Sequence, residues 1–307
     1  MGDSGLKVSE IGLGCNNFGM RIDEKDADAV VGAAIEAGIN FFDTADVYGG
    51  TRSETMLGAA LKGKRDQVVL ATKFAMPLGQ APDQRGGGSR RYVMSAVEAS
   101  LRRLGVDHID LYQMHRFDAE TPLEETLGAL DDLVHQGKVR YLGNSNYTGW
   151  QIADADWIAR NEHMNRFVSA QNNYSLMERR VEHEVTPACK RFGLGMLPFF
   201  PLASGLLTGK YRRGEAPPEG TRLAAWGPRG AQALNDRNFD RLEKLAGWAQ
   251  ERDHTLLELA FAWLLGHEVV SSVIAGATQP EQVQANAACA GWKLTPAEVE
   301  DVTKLAA

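Results

Sequence analysis

Cysteine is scarce in this 307-residue chain: there are three, Cys15, Cys189 and Cys289, odd in number and far apart. That argues against a disulfide framework and for free thiols in a reducing, cytoplasmic setting. Long hydrophobic runs are also missing, since no apolar stretch reaches the roughly 18 residues a spanning helix needs. The N-terminal MGDSGLKVSE has no apolar core of a signal peptide, so no secretory leader is expected. Excess positive charge is absent: 33 Lys and Arg stand against 40 Asp and Glu, for a net charge of −7. With no basic stripe to neutralise phosphates, neither nucleic acid nor a membrane is an expected partner. No HExxH, no CxxC and no spaced carboxylate cluster appears, so no metal is expected, and GxSxG elbows and P-loops are missing as well. Gly12-Leu13-Gly14 is followed by Asn17 where a dinucleotide fingerprint would place a third glycine, which weighs against a doubly wound sheet. Asn146-Tyr147-Thr148 matches a glycosylation sequon, by chance in a cytosolic chain.

What is present is alternation. Hydrophobic residues make up 44% and charged residues 24%, an ordinary globular balance, and the length suits two average domains or one large α/β barrel. Short apolar runs at 10–16, 39–43, 67–72, 109–114, 138–143, 167–171, 194–199 and 269–275 read as buried strands. Periodic helices separate them. Over 24–37 the residues Ala27, Val30, Val31, Ala34 and Ile35 share one helical face, with Asp23 as cap and Gly38 as stop. Thr121 is expected to cap a helix that starts at Pro122, and Thr255 with Glu258 and Thr295 with Glu298 read as capping boxes. Eight strands alternating with helices, without a linker, give a (β/α)8 TIM barrel as one domain over 1–307. Two irregular stretches interrupt the alternation, 75–89 with its Gly86-Gly87-Gly88 run and roughly 202–235, and loops of that length tend to serve as lids or binding loops.

In a barrel the strand C-termini converge on one face. Asp43 ends the second strand, Tyr48 follows in its loop, Lys73 ends the third and His115 ends the fourth. A phenol, an ammonium, a carboxylate and an imidazole are the parts needed to pass a proton to a carbonyl oxygen. A tyrosine near its ordinary pKa of about 10 is a weak acid at neutral pH, and a lysine aimed at it favours the phenolate. Singly each residue has a plainer reading, as a turn cap, a strand-end lysine or a structural histidine. Three adjacent strand ends together point to catalysis.

Seven ordered blocks carry a resemblance: GINFFDTADVYGGTRSETMLGAAL, VVLATKF, RLGVDHIDLYQMHR, VRYLGNSNY, QNNYSLMERR, PLASGLLTGKY and VIAGATQPEQVQAN. From about Ser4 to the last helix the chain resembles the aldo-keto reductase superfamily, particularly the bacterial reductases related to potassium-channel β-subunits. The resemblance implies hydride transfer between NADP(H), or also NAD(H), and a small-molecule aldehyde or ketone. By it Tyr48 is the general acid, Asp43 and Lys73 the ion pair that lowers its pKa, and His115 the group that orients the carbonyl. Ser145, Asn146 and Gln171 resemble the nicotinamide carboxamide ligands, and Tyr174 the aromatic stacked on the nicotinamide. Leu202, Ser204, Gly205, Leu206 (through its amide) and Lys210 would follow the pyrophosphate. Gly276, Thr278, Gln279, Gln282 and Asn286 would hold the adenosine end, with a helix starting at Thr278. By position Asn17, Phe18, Val47, Met76, Arg116, Tyr147 and Trp226 would line the substrate pocket. Two departures stand out. Relatives often carry Lys or Arg within the GATQ block, where this chain has Thr278 and Gln279, which leaves NADP over NAD a moderate preference. Relatives also open with a full β-hairpin that plugs the barrel floor, whose first arm here looks shortened. A nucleotide-sensing binding module and an NAD(P)-dependent alcohol or sugar dehydrogenase remain alternative readings, and the sequence says nothing of oligomeric state.

Overall fold

The computed structural model describes residues 1–81 and 84–307. Pro82 and Asp83, inside the first long loop, lie outside the described residues. Strands β1 (Ile11–Gly14), β2 (Phe41–Asp43), β3 (Val69–Phe74), β4 (Ile109–Met114), β5 (Val139–Ser145), β6 (Phe167–Asn173), β7 (Gly195–Phe199) and β8 (Val273–Gly276) form one sheet in the order β7-β6-β5-β4-β3-β2-β1-β8. All seven pairings are parallel. The ring closes at β7, where the Met196 amide donates to the Val269 carbonyl at 2.7 Å and the Ser271 amide donates to Met196 at 2.9 Å. The result is a (β/α)8 barrel.

Its helices are α1 (Glu24–Glu36), α2 (Arg52–Ala60), α3 (Arg90–Leu104), α4 (Leu123–His135), α5 (Gly149–Asn161), α6 (Val185–Phe192), α7 (Arg222–Ala225), α8 (Pro228–Gln232), α9 (Asp236–Gln250), α10 (Leu256–Leu265), α11 (Pro280–Ala288) and α12 (Pro296–Leu305). Local chemistry sets their ends. The Asp23 carboxylate accepts the Asp26 amide, and α1 buries Ala27, Val30, Val31 and Ala34 before Gly38 turns with φ +79°. Both capping boxes, Thr255 with Glu258 and Thr295 with Glu298, form. The expected Thr121 cap does not. The Thr121 hydroxyl donates to Asp118 at 2.7 Å, Pro122 takes the cap position and α4 starts at Leu123. Strands β5 and β6 run two residues beyond the expected 143 and 171, because the parallel ladder continues through polar Asn144, Ser145, Asn172 and Asn173.

The barrel floor is filled by Phe41, Ala71, Leu111, Leu197 and Ile274, with Met1 and Val8 packed against them. The expected shortened hairpin is absent: residues 1–10 contain no strand, and a coil closes the floor. The Asp3 amide donates to Gly193 at 2.9 Å. Gly2 sits where a Cβ would come within 2.2 Å of the Gly193 carbonyl, so only glycine allows that close approach. No helix among the described residues is long and apolar enough to cross a membrane, and none of their His, Cys, Asp and Glu side chains group so as to hold a metal.

Candidate active site

Period-two alternation along the strands sends every second side chain into the barrel. Above the apolar floor this puts Asp43, Lys73, Gln113 and Gln171 in one buried polar layer. The Lys73 ammonium donates to Asp43 Oδ2 at 2.5 Å and to the Thr44 carbonyl at 2.8 Å. Asp43 Oδ1 accepts the amides of Gln113 and Gln171, each at 2.9 Å, and Gln171 also donates to Gln113 at 3.1 Å. Three donors thus hold a carboxylate at the barrel axis. Burial opposes the Lys73 charge, but Asp43 and Tyr48 outweigh it and raise the pKa above the ordinary lysine value.

Tyr48 stands above this layer on the loop after β2. Its ring centroid is 5.1 Å from the Lys73 nitrogen and 5.7 Å from the His115 ring, which it meets edge-on at 83°. The structure therefore groups all four residues. It also corrects one expectation: the phenol is not net acidified. Burial raises its pKa above the ordinary tyrosine value, and Lys73 opposes this by charge and hydrogen bonding without winning. Tyr48 consequently keeps its proton, as a donor must. His115 is pushed down to about 3 by burial first, then by Lys73 and Arg116. Its imidazole is neutral near pH 7, and the buried Nδ1 has no partner among the described residues.

These groups open into a cleft of about 780 Å3 at the C-terminal mouth. Asn17, Ser145, Asn146, Gln171, Leu202, Ser204, Gly205, Lys210, Gly276, Thr278, Gln279, Gln282 and Asn286 all line it. Asn146, with φ +59°, donates to the His115 carbonyl and to Ser145 Oγ, each at 3.0 Å, tying β4 to β5. Past β7 the backbone is strained, with positive φ at Phe200, Ala203, Ser204 and Gly205. Lys210 folds back over Gly205, where an added Cβ would lie 3.0 Å from its ammonium. The last helix of this face starts later than expected, at Pro280 with Gln279 as cap, while Thr278 bonds the Gln282 side chain through its amide and hydroxyl.

Other expected residues fall elsewhere. Tyr174 is fully buried: its hydroxyl donates to Glu182 at 2.9 Å and its ring packs edge-on against Trp263 and His267. It does not line the cleft, so it cannot present a face there. Leu206 is buried in the core, leaving only its backbone to serve, and Phe18 and Tyr147 are buried too, with the Tyr147 hydroxyl against Met114 Sδ. Val47 and Met76 are half-buried and Arg116 and Trp226 exposed, all outside the cleft lining. Several lining or supporting residues escaped the sequence reading, among them Phe200, Arg222, Gln113 and Arg21. Phe200, 37% exposed, offers the cleft an aromatic face, with the Arg222 guanidinium 5.3 Å from its ring. Gln113 had a visible signal, a polar residue two before His115 in an apolar strand. Arg21 had none; it donates to the Gly220 carbonyl at 2.7 Å across the cleft.

The model of the aldo/keto reductase family matches residues 10–307. The chain belongs to that family. This aldo/keto reductase is 37% identical over 294 residues to a Bacillus subtilis protein called uncharacterized oxidoreductase YrpG, covering 92% of this chain and 88% of the other. It is 35% identical over 309 residues to probable aldo-keto reductase 1 of Glycine max, covering 98% and 86%. A probable voltage-gated potassium channel subunit beta of rice, Oryza sativa subsp. japonica, is 36% identical over 292 residues, covering 93% and 88%. Aldo-keto reductases are nicotinamide-dependent oxidoreductases of carbonyl compounds, and this chain is an oxidoreductase of that family.

Proposed function

We propose that the protein reduces aldehydes or ketones with NADPH, with residues 1–307 acting as one unit and Tyr48 as the general acid. The observation that carries this reading is the Tyr48, Lys73, Asp43 and His115 group at the mouth of a long cleft. When bound, the dihydronicotinamide supplies the hydride. The chain's own groups do the rest. Tyr48 holds a proton at its hydroxyl and gives it to the carbonyl oxygen as negative charge develops there. Lys73 stabilises the phenolate left behind, and Asp43 with Gln113 and Gln171 fixes Lys73 in place. Neutral His115 donates a hydrogen bond that orients the carbonyl without competing as an acid.

The cleft fits the cofactor chemically. Ser145, Asn146 and Gln171 offer amide and hydroxyl partners for a carboxamide, and Phe200, in place of Tyr174, offers the ring. Small residues 203–205 let the backbone approach a pyrophosphate. Burial first, then repulsion from Arg21 and Arg222, lowers the Lys210 pKa, and burial with repulsion from Arg21 lowers that of Arg222. Three cations against Glu219 and the Lys73-bound Asp43 on the cleft lining, in a protein of net charge −7, suit a polyanion and favour NADP(H) over NAD(H), although Thr278 and Gln279 carry no charge. The test is NADPH consumption with a panel of aldehydes and ketones, repeated with NADH. Turnover with NADPH supports the reading. Tight cofactor binding without turnover on any carbonyl would instead favour a nucleotide sensor, and activity confined to alcohols with the oxidised cofactor would favour a dehydrogenase.

A further inference from the structure

Between Asp43 and Tyr48 the loop carries a second acid, Asp46, which is 1% exposed and does not line the cleft. Its amide donates to the Lys73 carbonyl at 3.1 Å, so it sits at the junction between the Tyr48 loop and the strand bearing the ammonium. Asp46 Oδ1 is buried with no partner among the described residues. Oδ2 meets the Tyr92 hydroxyl of α3 at 3.5 Å, and that hydroxyl also lies 3.4 Å from the Met76 carbonyl at the exit of β3.

The charged groups around Asp46 do not balance. From α2 comes Glu54, fully buried; from α3 come Tyr92 and Arg103; from β4 comes Tyr112, whose buried hydroxyl has no partner among the described residues. The one cation of this group is spent on Glu54, since the Arg103 Nε donates to Glu54 Oε2 at 2.6 Å while Thr72 donates to Oε1 at 2.6 Å. Two buried carboxyl groups share one guanidinium, and the second is better neutral.

We propose that Asp46 is a positioning residue whose carboxyl proton sets how Tyr92 joins the Tyr48 loop to the Met76 loop. This rests on the reductase reading above. With Asp46 protonated, its hydroxyl donates to the Tyr92 oxygen and Tyr92 donates onward to the Met76 carbonyl, so both loops are tied to α3. With Asp46 ionised, Tyr92 must turn its proton to Asp46, the Met76 carbonyl loses its donor, and a second buried carboxylate, bonded among the described residues only by Tyr92 and the Val47 amide, faces Glu54. The proton goes to solvent, and no bond other than the O–H breaks. In support, burial first and Glu54 second raise the Asp46 pKa to about 7, inside the working range of an enzyme, whereas His115 titrates at about 3 and Tyr48 above the ordinary tyrosine value.

The experiment compares wild type, Asp46→Asn and Tyr92→Phe from about pH 5 to about pH 9, reading kcat, KM and NADPH affinity. Wild type should lose kcat/KM through about pH 7, largely through KM. Asp46→Asn should stay near the low-pH plateau throughout, with NADPH affinity unchanged. Tyr92→Phe removes the relay, so the limb should vanish there as well, which keeps the test alive if the Asn variant folds poorly. A limb of unchanged midpoint in both variants, or a flat wild-type profile, overturns the proposal. Heat stability separates this from failure of the reductase reading, because it needs no turnover. Asp46→Asn should gain in Tm over wild type as pH rises from about 4 to about 7, and a gap that does not grow overturns it.

Discussion

Replacing Lys73 with methionine should separate what the buried ion pair does for folding from what it does for chemistry. Lys73 is fully buried and Asp43 is 2% exposed, so the variant leaves a carboxylate without its counter-ion inside the barrel. Removing one partner of such a pair costs about 3–5 kcal/mol. The lower end is expected, because Gln113 and Gln171 still donate to Asp43 Oδ1 at 2.9 Å each. Asp43→Asn added to Lys73→Met removes the stranded charge and should recover much of that loss, since paired charges and neutral groups of similar shape are often equal in stability. Turnover should not recover. The ammonium is the group that pulls the Tyr48 pKa down, and losing it should lower kcat by about 100- to 10,000-fold in both variants. The same ammonium depresses His115, so the imidazole pKa should rise from about 3 in the Met variant. Chemical denaturation gives the stability, and steady-state kinetics over pH give the rest. A single variant that keeps both stability and turnover would refute the ion-pair argument. Recovery of turnover along with stability in the double variant would show that the pair serves only the fold.

Three further outcomes follow from the cleft. Gly205→Ala places a Cβ at φ +98° and 3.0 Å from the Lys210 ammonium, so NADPH affinity should weaken about tenfold with a stability loss of about 1–3 kcal/mol, read by fluorescence titration and melting. Thr278→Arg adds a cation beside the Arg21, Lys210 and Arg222 group and should tighten NADPH more than NADH; equal effects on both would place the 2′-phosphate elsewhere. Gln113→Leu removes one donor to Asp43 Oδ1 and should cost about 1–3 kcal/mol in stability, with kcat falling more than KM rises.

The barrel was legible because apolar runs and helical periods alternate without a break, and because parallel strands buried on both faces read as continuous hydrophobic stretches. The grouping of Asp43, Tyr48, Lys73 and His115 was legible because barrel topology puts strand ends together whatever the loops do. Errors arose where polar residues took structural work. Asn144 and Asn172 prolong β5 and β6 although the apolar runs have ended. Asp118 captures the Thr121 hydroxyl and also accepts the Gly88 amide at 2.7 Å, anchoring the first long loop, so the helix cap moved. Tyr174 misled because it follows β6 closely, yet its position turns the ring outward to Trp263. Phe200 escaped because its left-handed backbone, φ +53°, breaks the strand parity that would have placed it. The direction of the Tyr48 shift was beyond sequence, since it depends on how deeply the phenol is buried relative to one lysine.

The central claim is that the Tyr48 hydroxyl delivers the proton. Its most direct test is Tyr48→Phe, measured for both kcat and NADPH affinity. The account predicts a kcat lower by about 100- to 10,000-fold with cofactor affinity within about twofold of wild type. Near-normal turnover in that variant would contradict it.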